Sequence, residues 1–247
     1  MDLPHHPTAP SGCAATIAAL GWLAAGLSLT DRLLRRLTGQ RWRLYCYRFV
    51  AQAVAPAPRC GGRGAAITVQ ALRRQQLPAG YPRRADVLDQ RDRQGAFSVT
   101  AFRDGQLSGF LWLLYGSYHE DEVRVRYHLV SPRSAWDFDV WVSPDERLGL
   151  TFARLWDEAH RLLREHAVDW SCSRISTFNP ASLRAHARLG TVSLGHALFL
   201  VCGRWQWMGA SLPPYLHLSR RDGAFPHLTF DTGHLIHQPS GSSHALS

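Results

Sequence analysis

The sequence contains no lysine. All 28 basic residues are arginine, against 19 acidic residues, which gives a formal net charge of +9. Such an excess ordinarily suggests a nucleic-acid or membrane partner. The complete lack of one basic residue type instead indicates a compositional bias of the whole genome. We therefore expect no nucleic-acid partner, although scattered arginines suit an anionic substrate that carries several phosphates.

The sequence also lacks the paired cysteines and ligand clusters of a metal site or a redox disulfide. Its five cysteines are odd in number and widely spaced: Cys13, Cys46, Cys60, Cys172 and Cys202. Three histidines near the C-terminus have no carboxylate or cysteine at ligand spacing: His234, His237 and His244. We expect no metal, free thiols and a cytoplasmic location.

A hydrophobic run long enough to span a membrane is missing as well. Residues 13–29 carry no charge, but the run falls short of the ~20 apolar residues that a spanning helix needs. No arginine precedes it, as a signal peptide would require. We favour a buried or dimer-forming helix, which makes a homodimer possible. A weak membrane anchor is less favoured, and an over-long reading frame is the third alternative.

With 247 residues and 45% hydrophobic content, the chain can bury the core of one domain with extensions. Residues 1–60 are expected to form an N-terminal extension with an apolar helix and a possible strand. A stretch rich in proline and glycine, residues 55–64, separates it from the main domain at residues 61–210. Residues 211–247 read as a loose C-terminal tail.

The centre of the chain lies between residues 136 and 190. Residues 136–142 alternate aromatic and β-branched side chains, which predicts a strand. Apolar side chains at steps of three and four across residues 148–163 predict a long amphipathic helix. A second strand is predicted at residues 170–176 and a shorter helix at residues 181–189. This order is a βαβα unit and indicates an α/β fold.

The remaining elements follow from composition and turn signals. An Asp104-Gly105 pair between two apolar runs predicts a β-hairpin. Residues 83–94 are polar and are expected to be helical or irregular. Six further strands are predicted at residues 67–72, 97–103, 107–115, 120–130, 194–201 and 205–208.

The turn between the first strand and the long helix is a candidate anion site. Helix N-termini present unpaired N–H groups and a partial positive charge, and Gly149 lets the backbone approach a ligand closely. A single glycine at this place is also compatible with an ordinary connection.

Two motifs resemble the GNAT (GCN5-related N-acetyltransferase) superfamily, across roughly residues 61–210. That family typically shows V-x-P-x-x-[RQ]-x-x-G-x-[GA] and then N-x-x-[AS]-x-x-x-Y-x-x-x-G-F. The first motif corresponds to residues 142–151, VSPDERLGLT, with Arg147 two residues before Gly149 instead of three, and the second to residues 179–191, NPASLRAHARLGT. His186 stands where the family usually has tyrosine, and Thr151 stands where it has glycine or alanine.

The resemblance implies a mixed, mostly antiparallel central sheet flanked by helices, and an acyl-CoA co-substrate. In this superfamily the central strand splays away from its neighbour, and its free backbone groups bind the pantetheine arm and polarise the thioester. Backbone groups for this task would lie on Val140 and Val142. The other candidate coenzyme-binding residues are Arg147, Leu148, Gly149, Leu150, Thr151, Asn179 and Ser182.

Catalysis would need a base for the amine and an acid for the leaving thiolate. Asp137 and Asp139 are expected on one face of the strand, where mutual repulsion would raise one pKa and suit a base. Pairing with Arg124 or Arg126 in a structural network is the equal alternative. His186 would replace the tyrosine as acid, or be only a helix histidine.

The expected activity is therefore direct transfer of an acetyl or other acyl group from acyl-CoA to an amine on a small molecule or a peptide. No nucleophile is placed for a covalent intermediate. The rival hypothesis is a non-catalytic module that binds acyl-CoA, or keeps only the fold, and acts through partners.

Overall fold

The computed structural model describes residues 22–220, 223 and 225–235. Its α-helices are α1 (Trp22–Leu37), α2 (Ala85–Arg93), α3 (Thr151–Glu165) and α4 (Pro180–Arg188). The first strands are β1 (Trp42–Ala53), β2 (Ile67–Leu72), β3 (Phe97–Arg103), β4 (Gln106–Tyr115), β5 (Tyr118–His119) and β6 (Arg126–Leu129). The later strands are β7 (Ser134–Val142), β8 (Trp170–Ser176), β9 (Val192–Cys202), β10 (Trp205–Ala210), β11 (Leu216–Ser219) and β12 (His227–Phe230). Short 3₁₀ turns occupy Arg74–Gln76 and Pro144–Glu146.

Nine strands form one sheet in the order β11-β10-β9-β1-β8-β7-β4-β3-β2. The pair β7–β8, which α3 connects, is parallel, and the other pairs of this sheet are antiparallel. A smaller sheet has the order β12-β6-β5. The predicted α/β class, with a mixed, mostly antiparallel sheet flanked by helices, is confirmed.

Each face of the large sheet has its own core. On one side, here called the α3 face, Leu155, Trp156 and Leu163 of α3 pack on small and aliphatic residues of β3, β4 and β7. On the other, the aromatic face, Trp112, Trp136 and Phe138 belong to a cluster that also takes in α2 and the small sheet. Both layers are needed because every central strand is buried on both sides.

Gly109 of β4 explains how close α3 comes to the sheet. A Cβ atom at Gly109 would lie 2.9 Å from the Trp141 carbonyl oxygen and 3.0 Å from the Thr151 methyl group. Only a residue without a side chain leaves that space. The first turn of α3 therefore rests directly on β4, and Thr151 is completely buried.

The predicted hairpin is confirmed, because Arg103 pairs with Gln106 across a turn in which Asp104 and Gly105 both have positive φ.

The strand predicted at residues 120–130 is wrong for most of its length. Only Arg126–Leu129 of that range is extended, and it belongs to the small sheet. Its inward residues Val123 and Val125 are nevertheless buried.

The predicted domain limits also need correction. Strand β1 lies in the middle of the large sheet, between β9 and β8, although the sequence placed it in an extension outside the core. A unit that started at residue 61 would lack this central strand. The presumed loose tail contributes β11 and β12. Residues 13–21 of the uncharged segment lie outside the described part of the chain.

None of the helices in the described ranges is long and apolar enough to cross a bilayer.

Candidate active site at the split between two strands

The large sheet opens in its middle, between β7 and β8. The two strands pair from Ser134–Trp170 to Asp137–Ser173, and the ladder then stops. Strand β7 continues to Val142 along β4, while β8 continues to Ser176 along β1. The β7 edge beyond Asp137 therefore faces an opening instead of a neighbouring strand. The backbone of Val140 and Val142 lies on this edge, where the resemblance expects it.

A β-bulge lies at the start of the opening. Phe138 pairs with Trp112 and Trp141 pairs with Phe110, so one residue more stands on β7 than on β4 between these pairs. Asp139 has a φ of 52°, in the left-handed region that few residues other than glycine adopt. The bulge interrupts the alternation of side chains. Asp137 and Asp139 consequently point to opposite faces, and the prediction that they share one face is wrong.

On the α3 face, Asp137 is buried and hydrogen-bonded to two serines of β8. The Ser171 and Ser173 hydroxyls donate to its two oxygens at 2.5 and 2.6 Å. Burial raises the pKa of Asp137, although the nearby His186 and the two serine hydroxyls partly oppose this. The result is a small, buried polar cluster at the point where the strands separate.

His186 reaches the same cluster from α4. Its side chain is buried and meets the Trp156 ring edge-on at 6.2 Å between centroids. Its Nδ1 atom makes no hydrogen bond within the described residues. Burial lowers the pKa of His186, and the charge of Asp137 opposes this shift only in part. The imidazole is therefore mainly neutral at pH 7, and it has one nitrogen free for a ligand.

On the aromatic face, Asp139 is held between two arginines. Arg83 Nε donates to it at 2.6 Å and Arg91 Nη1 at 2.5 Å, and the Arg91 guanidinium stacks on the rings of Trp112 and Phe138. Burial alone would raise the pKa of Asp139, but the two arginines outweigh it and lower the pKa to about 2. Such a carboxylate is a poor proton acceptor, so the geometry does not favour Asp139 as the base.

The alternative prediction was that the two aspartates pair with Arg124 or Arg126 in a structural network. Asp139 does belong to such a network, but with other arginines. Arg83 and Arg91 come from α2 and the loop before it, not from the segment that contains Arg124 and Arg126.

Three consecutive carboxylates cross the opening on this face. They follow β5: Glu120, Asp121 and Glu122. Asp121 pairs with Arg91, which also binds Asp139 on β7. Both glutamates pair with Arg174, the first β8 residue past the split, whose guanidinium lies over the Tyr47 ring at 4.3 Å. The acidic loop therefore links the two separated strands.

Glu120 is the carboxylate whose properties suit a base. It is buried, and it lines a cavity of about 350 Å³ together with Gln90, His119 and Gln206. Burial raises the pKa of Glu120 to about 7, against the opposing charge of Arg174. The sequence did not point to Glu120, because residues 120–130 alternate charged and apolar side chains and were predicted to form a strand. Three adjacent acids before two buried valines were the available signal.

The turn into α3 already holds a carboxylate. Glu146 accepts a hydrogen bond from the Thr151 hydroxyl at 2.9 Å and pairs with Arg103 at 2.7 Å. The Gly149 amide donates to the Glu146 carbonyl oxygen at 3.0 Å. This amide is therefore used inside the turn, contrary to the prediction that it is free for phosphate. The Glu146 charge also occupies the positive end of the helix.

The other predicted coenzyme ligands lie around this turn and at the start of α4. Arg147 and Leu148 are exposed, whereas Leu150 is half-buried. Asn179 caps α4, accepting a hydrogen bond from the Ser182 amide at 3.0 Å. The spacing of three between Asn179 and Ser182 is therefore explained by helix capping, without a coenzyme. Among the residues that the structure describes, no group of three or more possible ligands is placed to hold a metal.

Comparison with known proteins gives no close relative. No family model matches the chain, and no curated protein matches it. A conserved protein of unknown function from Staphylococcus epidermidis is similar in structure, at 8% identity and a TM-score of 0.43, over 69% of this chain and 66% of that one. An aminoglycoside acetyltransferase from an uncultured soil metagenomic sample gives 8% and 0.37, over 51% and 88%.

A third solved structure is described as a putative acetyltransferase from the GNAT family and comes from Novosphingobium aromaticivorans. Its identity is 14% and its TM-score 0.40, over 63% of each chain. Likenesses of this size are too weak to carry an argument for an activity. The case for a function rests on the split, the bulge and the groups around them.

Proposed function

We propose that the protein transfers an acyl group from acyl-coenzyme A to an amine. The observation that carries this proposal is the split after Asp137–Ser173, which leaves the edge of a central strand unpaired beside the first turns of α3. An amide-rich pantetheine arm would fit as a substitute strand along Val140 and Val142. A backbone N–H on this edge would polarise the thioester carbonyl as its oxygen becomes negative.

The reaction needs the attacking amine to lose a proton. The amine nitrogen forms a bond to the thioester carbon, the carbon–sulfur bond breaks, and coenzyme A leaves as a thiolate. Glu120 takes the amine proton, in the role that Asp139 cannot fill. The cavity beside Glu120 is also lined by Asp121, Glu122 and Arg124, and this excess of carboxylates favours an acceptor that carries a further positive charge besides the attacking neutral amine.

His186 serves the leaving sulfur from the α3 face. Because burial keeps its imidazole mainly neutral, it acts through an N–H hydrogen bond to the thiolate rather than as a charged acid. Asp137, with Ser171 and Ser173, lies beside His186 and makes this side of the split polar. No arginine pairs with Asp137 among the described residues.

A non-catalytic protein with this fold is the second candidate, and Glu146 favours it. A carboxylate that bonds Thr151 and Arg103 at the start of α3 repels the pyrophosphate that a coenzyme would bring to this turn.

Release of free thiol separates the two candidates. The full chain is incubated with acetyl-CoA and longer acyl-CoA donors, with and without polyamine or aminosugar acceptors. Acceptor-dependent thiol release supports transfer. Glu120→Gln should lower kcat about a hundred-fold or more, whereas Glu165→Gln, on an exposed helix end, should leave it unchanged. No thiol release with any donor and acceptor would leave the fold-only candidate.

Thermal unfolding tests coenzyme binding independently of turnover. Coenzyme A at a hundred times its Kd should stabilise the protein by about 2.7 kcal/mol. Glu146→Gln removes the competing charge and should increase the shift. Gly149→Glu adds a charge and crowds Glu146, since even a Cβ there lies 3.3 Å from its carbonyl and Oε2 atoms. If this variant keeps the full shift, the coenzyme does not use this turn.

A further inference from the structure

Exposed large apolar side chains are concentrated in two segments of the chain. Among the described residues there are thirteen, and ten of them belong to residues 22–42 or 205–218. These ten are Trp22, Leu23, Leu33, Leu37, Trp42, Trp205, Trp207, Tyr215, Leu216 and Leu218. Scattered single exposures need no explanation, but a concentration of this kind marks a contact surface.

Helix α1 is packed with its polar side inward. Ala25, Ser28 and Asp31 are buried, and the Asp31 carboxylate accepts a hydrogen bond from the Leu44 amide of β1 at 2.8 Å. The opposite side of the helix carries Leu33 and Leu37, which are 57% and 73% exposed. An amphipathic helix on a globular core normally buries its leucines. This helix instead presents them outward.

The end of the large sheet continues the apolar surface. Residues directly opposite each other on neighbouring strands share a face. Three such rows start on β1 and cross β9 and β10, and the last two also reach β11: Trp42–Cys202–Trp205, Leu44–Leu200–Trp207–Leu218 and Cys46–Leu198–Gly209–Leu216. Every residue in these rows is apolar, and exposure increases towards β11, where Leu218 is 61% exposed.

The helix and the sheet rows meet at Trp42. Its amide donates to the Thr38 hydroxyl at 3.0 Å, just past the last turn of α1, and its ring begins the first row. We call the exposed side of α1, together with the exposed ends of the three rows, the outer apolar surface.

The two chain segments that form the outer apolar surface carry charges of almost one sign. Residues 22–48 and 192–220 contain eight arginines and a single acidic residue, Asp31. Asp31 is buried and paired with Arg35. Compositional bias explains why these residues are arginine rather than lysine, but not why 18 of the 19 acidic residues lie elsewhere. One of the arginines, Arg220, stacks on Trp205 at 5.1 Å.

A second copy of the chain fits this surface poorly, because a two-fold contact would set arginines against arginines, and these two segments offer no exposed acid to pair them. Nucleic acid would use the charges but not the leucines, which offer no planar face for stacking on bases. An anionic bilayer surface suits both features, since leucine and tryptophan enter the interfacial region and arginines meet the headgroups.

We propose that the outer apolar surface docks the protein on the surface of an anionic lipid bilayer, without crossing it. This inference does not depend on the acyltransferase proposal. The docking site lies on α1 and the β11 end of the sheet, whereas the split lies between β7 and β8.

Flotation of the full chain with lipid vesicles tests the proposal. Vesicles of phosphatidylcholine with phosphatidylserine should carry the protein upward, and vesicles of phosphatidylcholine alone should carry less. High salt should weaken binding because part of it is electrostatic. If the protein does not float with the anionic vesicles at low salt, the proposal is wrong.

Matched variants locate the contact. Leu218→Glu should lower the partition coefficient about tenfold, because one leucine leaves the interface and one repelled charge enters it. Val130→Glu replaces an apolar side chain of similar exposure, 53%, outside the outer apolar surface, and should bind like the parent. Arg36→Gln and Arg204→Gln should each cost about fivefold on anionic vesicles only.

Light scattering and a nucleic-acid binding assay complete the test. A lipid-free dimer that Leu218→Glu converts to monomer, together with absence of flotation, would assign the surface to a second copy. Salt-sensitive binding of single-stranded RNA or DNA without flotation would assign it to nucleic acid. Equal flotation of Leu218→Glu and Val130→Glu would also overturn the proposal. Circular dichroism shows whether each variant remains folded.

Discussion

The two sides of the split differ in how they keep carboxylates buried. On the α3 face, Asp137 is held by two neutral serines, and burial raises its pKa. On the aromatic face, Asp139 is held by two arginines, and its pKa falls to about 2. The two residues stand only two positions apart on one strand. What separates them is a single bulged residue, which turns one side chain to the other face.

This difference assigns different tasks to the two faces. An ion-pair network is rigid and strongly affected by the loss of one member, because the remaining charge stays buried. The Asp137 cluster has no arginine partner among the described residues, so burial raises the pKa of Asp137 and lowers the pKa of His186. The aromatic face therefore holds the opening in shape, and the α3 face and Glu120 supply groups that titrate.

The largest effect is expected from removing the cation that serves both Asp121 and Asp139. Arg91→Met should destabilise the protein by about 3–5 kcal/mol, since two buried carboxylates lose their common partner. Urea unfolding measures this. Arg84→Met, which breaks an exposed pair with Asp86, is the control and should change little. If both variants lose a similar free energy of unfolding, the buried network contributes no more to stability than an exposed ion pair.

The α3 face is probed next by His186→Phe, which keeps a ring and removes the nitrogens. Acyl transfer should slow about a hundred-fold, while the thermal shift with coenzyme A stays. Pre-steady-state thiol release measures the change. A parent-like rate would make His186 a packing residue, and the chemistry would then rest on Glu120 and the backbone of β7.

The acid limb of the stability curve separates the two aspartates. The folded pKa of Asp139, about 2, lies below its ordinary value of 3.8, so its stabilising effect is present above pH 4 and is lost as the pH falls towards 2. The difference corresponds to about 2 kcal/mol. Asp139→Asn should flatten this limb in urea titrations at several pH values. Asp137→Asn should not flatten it, since the pKa of Asp137 is raised.

The smallest effect is expected at the cap of the helix that carries His186. Asn179→Ala should cost about 1 kcal/mol, because the Ser182 amide loses its acceptor. Hydrogen exchange should become faster in α4, while the acid limb that depends on Asp139 remains. An unchanged exchange rate at Ser182 would show that water replaces the cap without loss.

Local pattern was sufficient for most elements of the fold. Strands β2, β3 and β8 and the hairpin turn at Asp104-Gly105 lie where alternation and turn chemistry put them, and helix α3 lies within two or three residues of its prediction. The signal failed for residues 120–125, where alternating burial continues without strand pairing. The uncharged run at residues 13–29 located the N-terminal helix only in part, because α1 covers Trp22–Leu37 and residues 13–21 lie outside the described part of the chain.

The sequence by itself determined most of the helices and strands and the strand–helix–strand unit at the centre, because these depend on contacts a few residues apart. Only the tertiary structure decided the roles of the charged residues. A bulge separates Asp137 from Asp139, the loop after β5 brings Glu120 to Arg174, and Glu146 fills the turn that a phosphate would need. Each of these depends on register or on partners distant in the chain, and side-chain spacing carries no information about either.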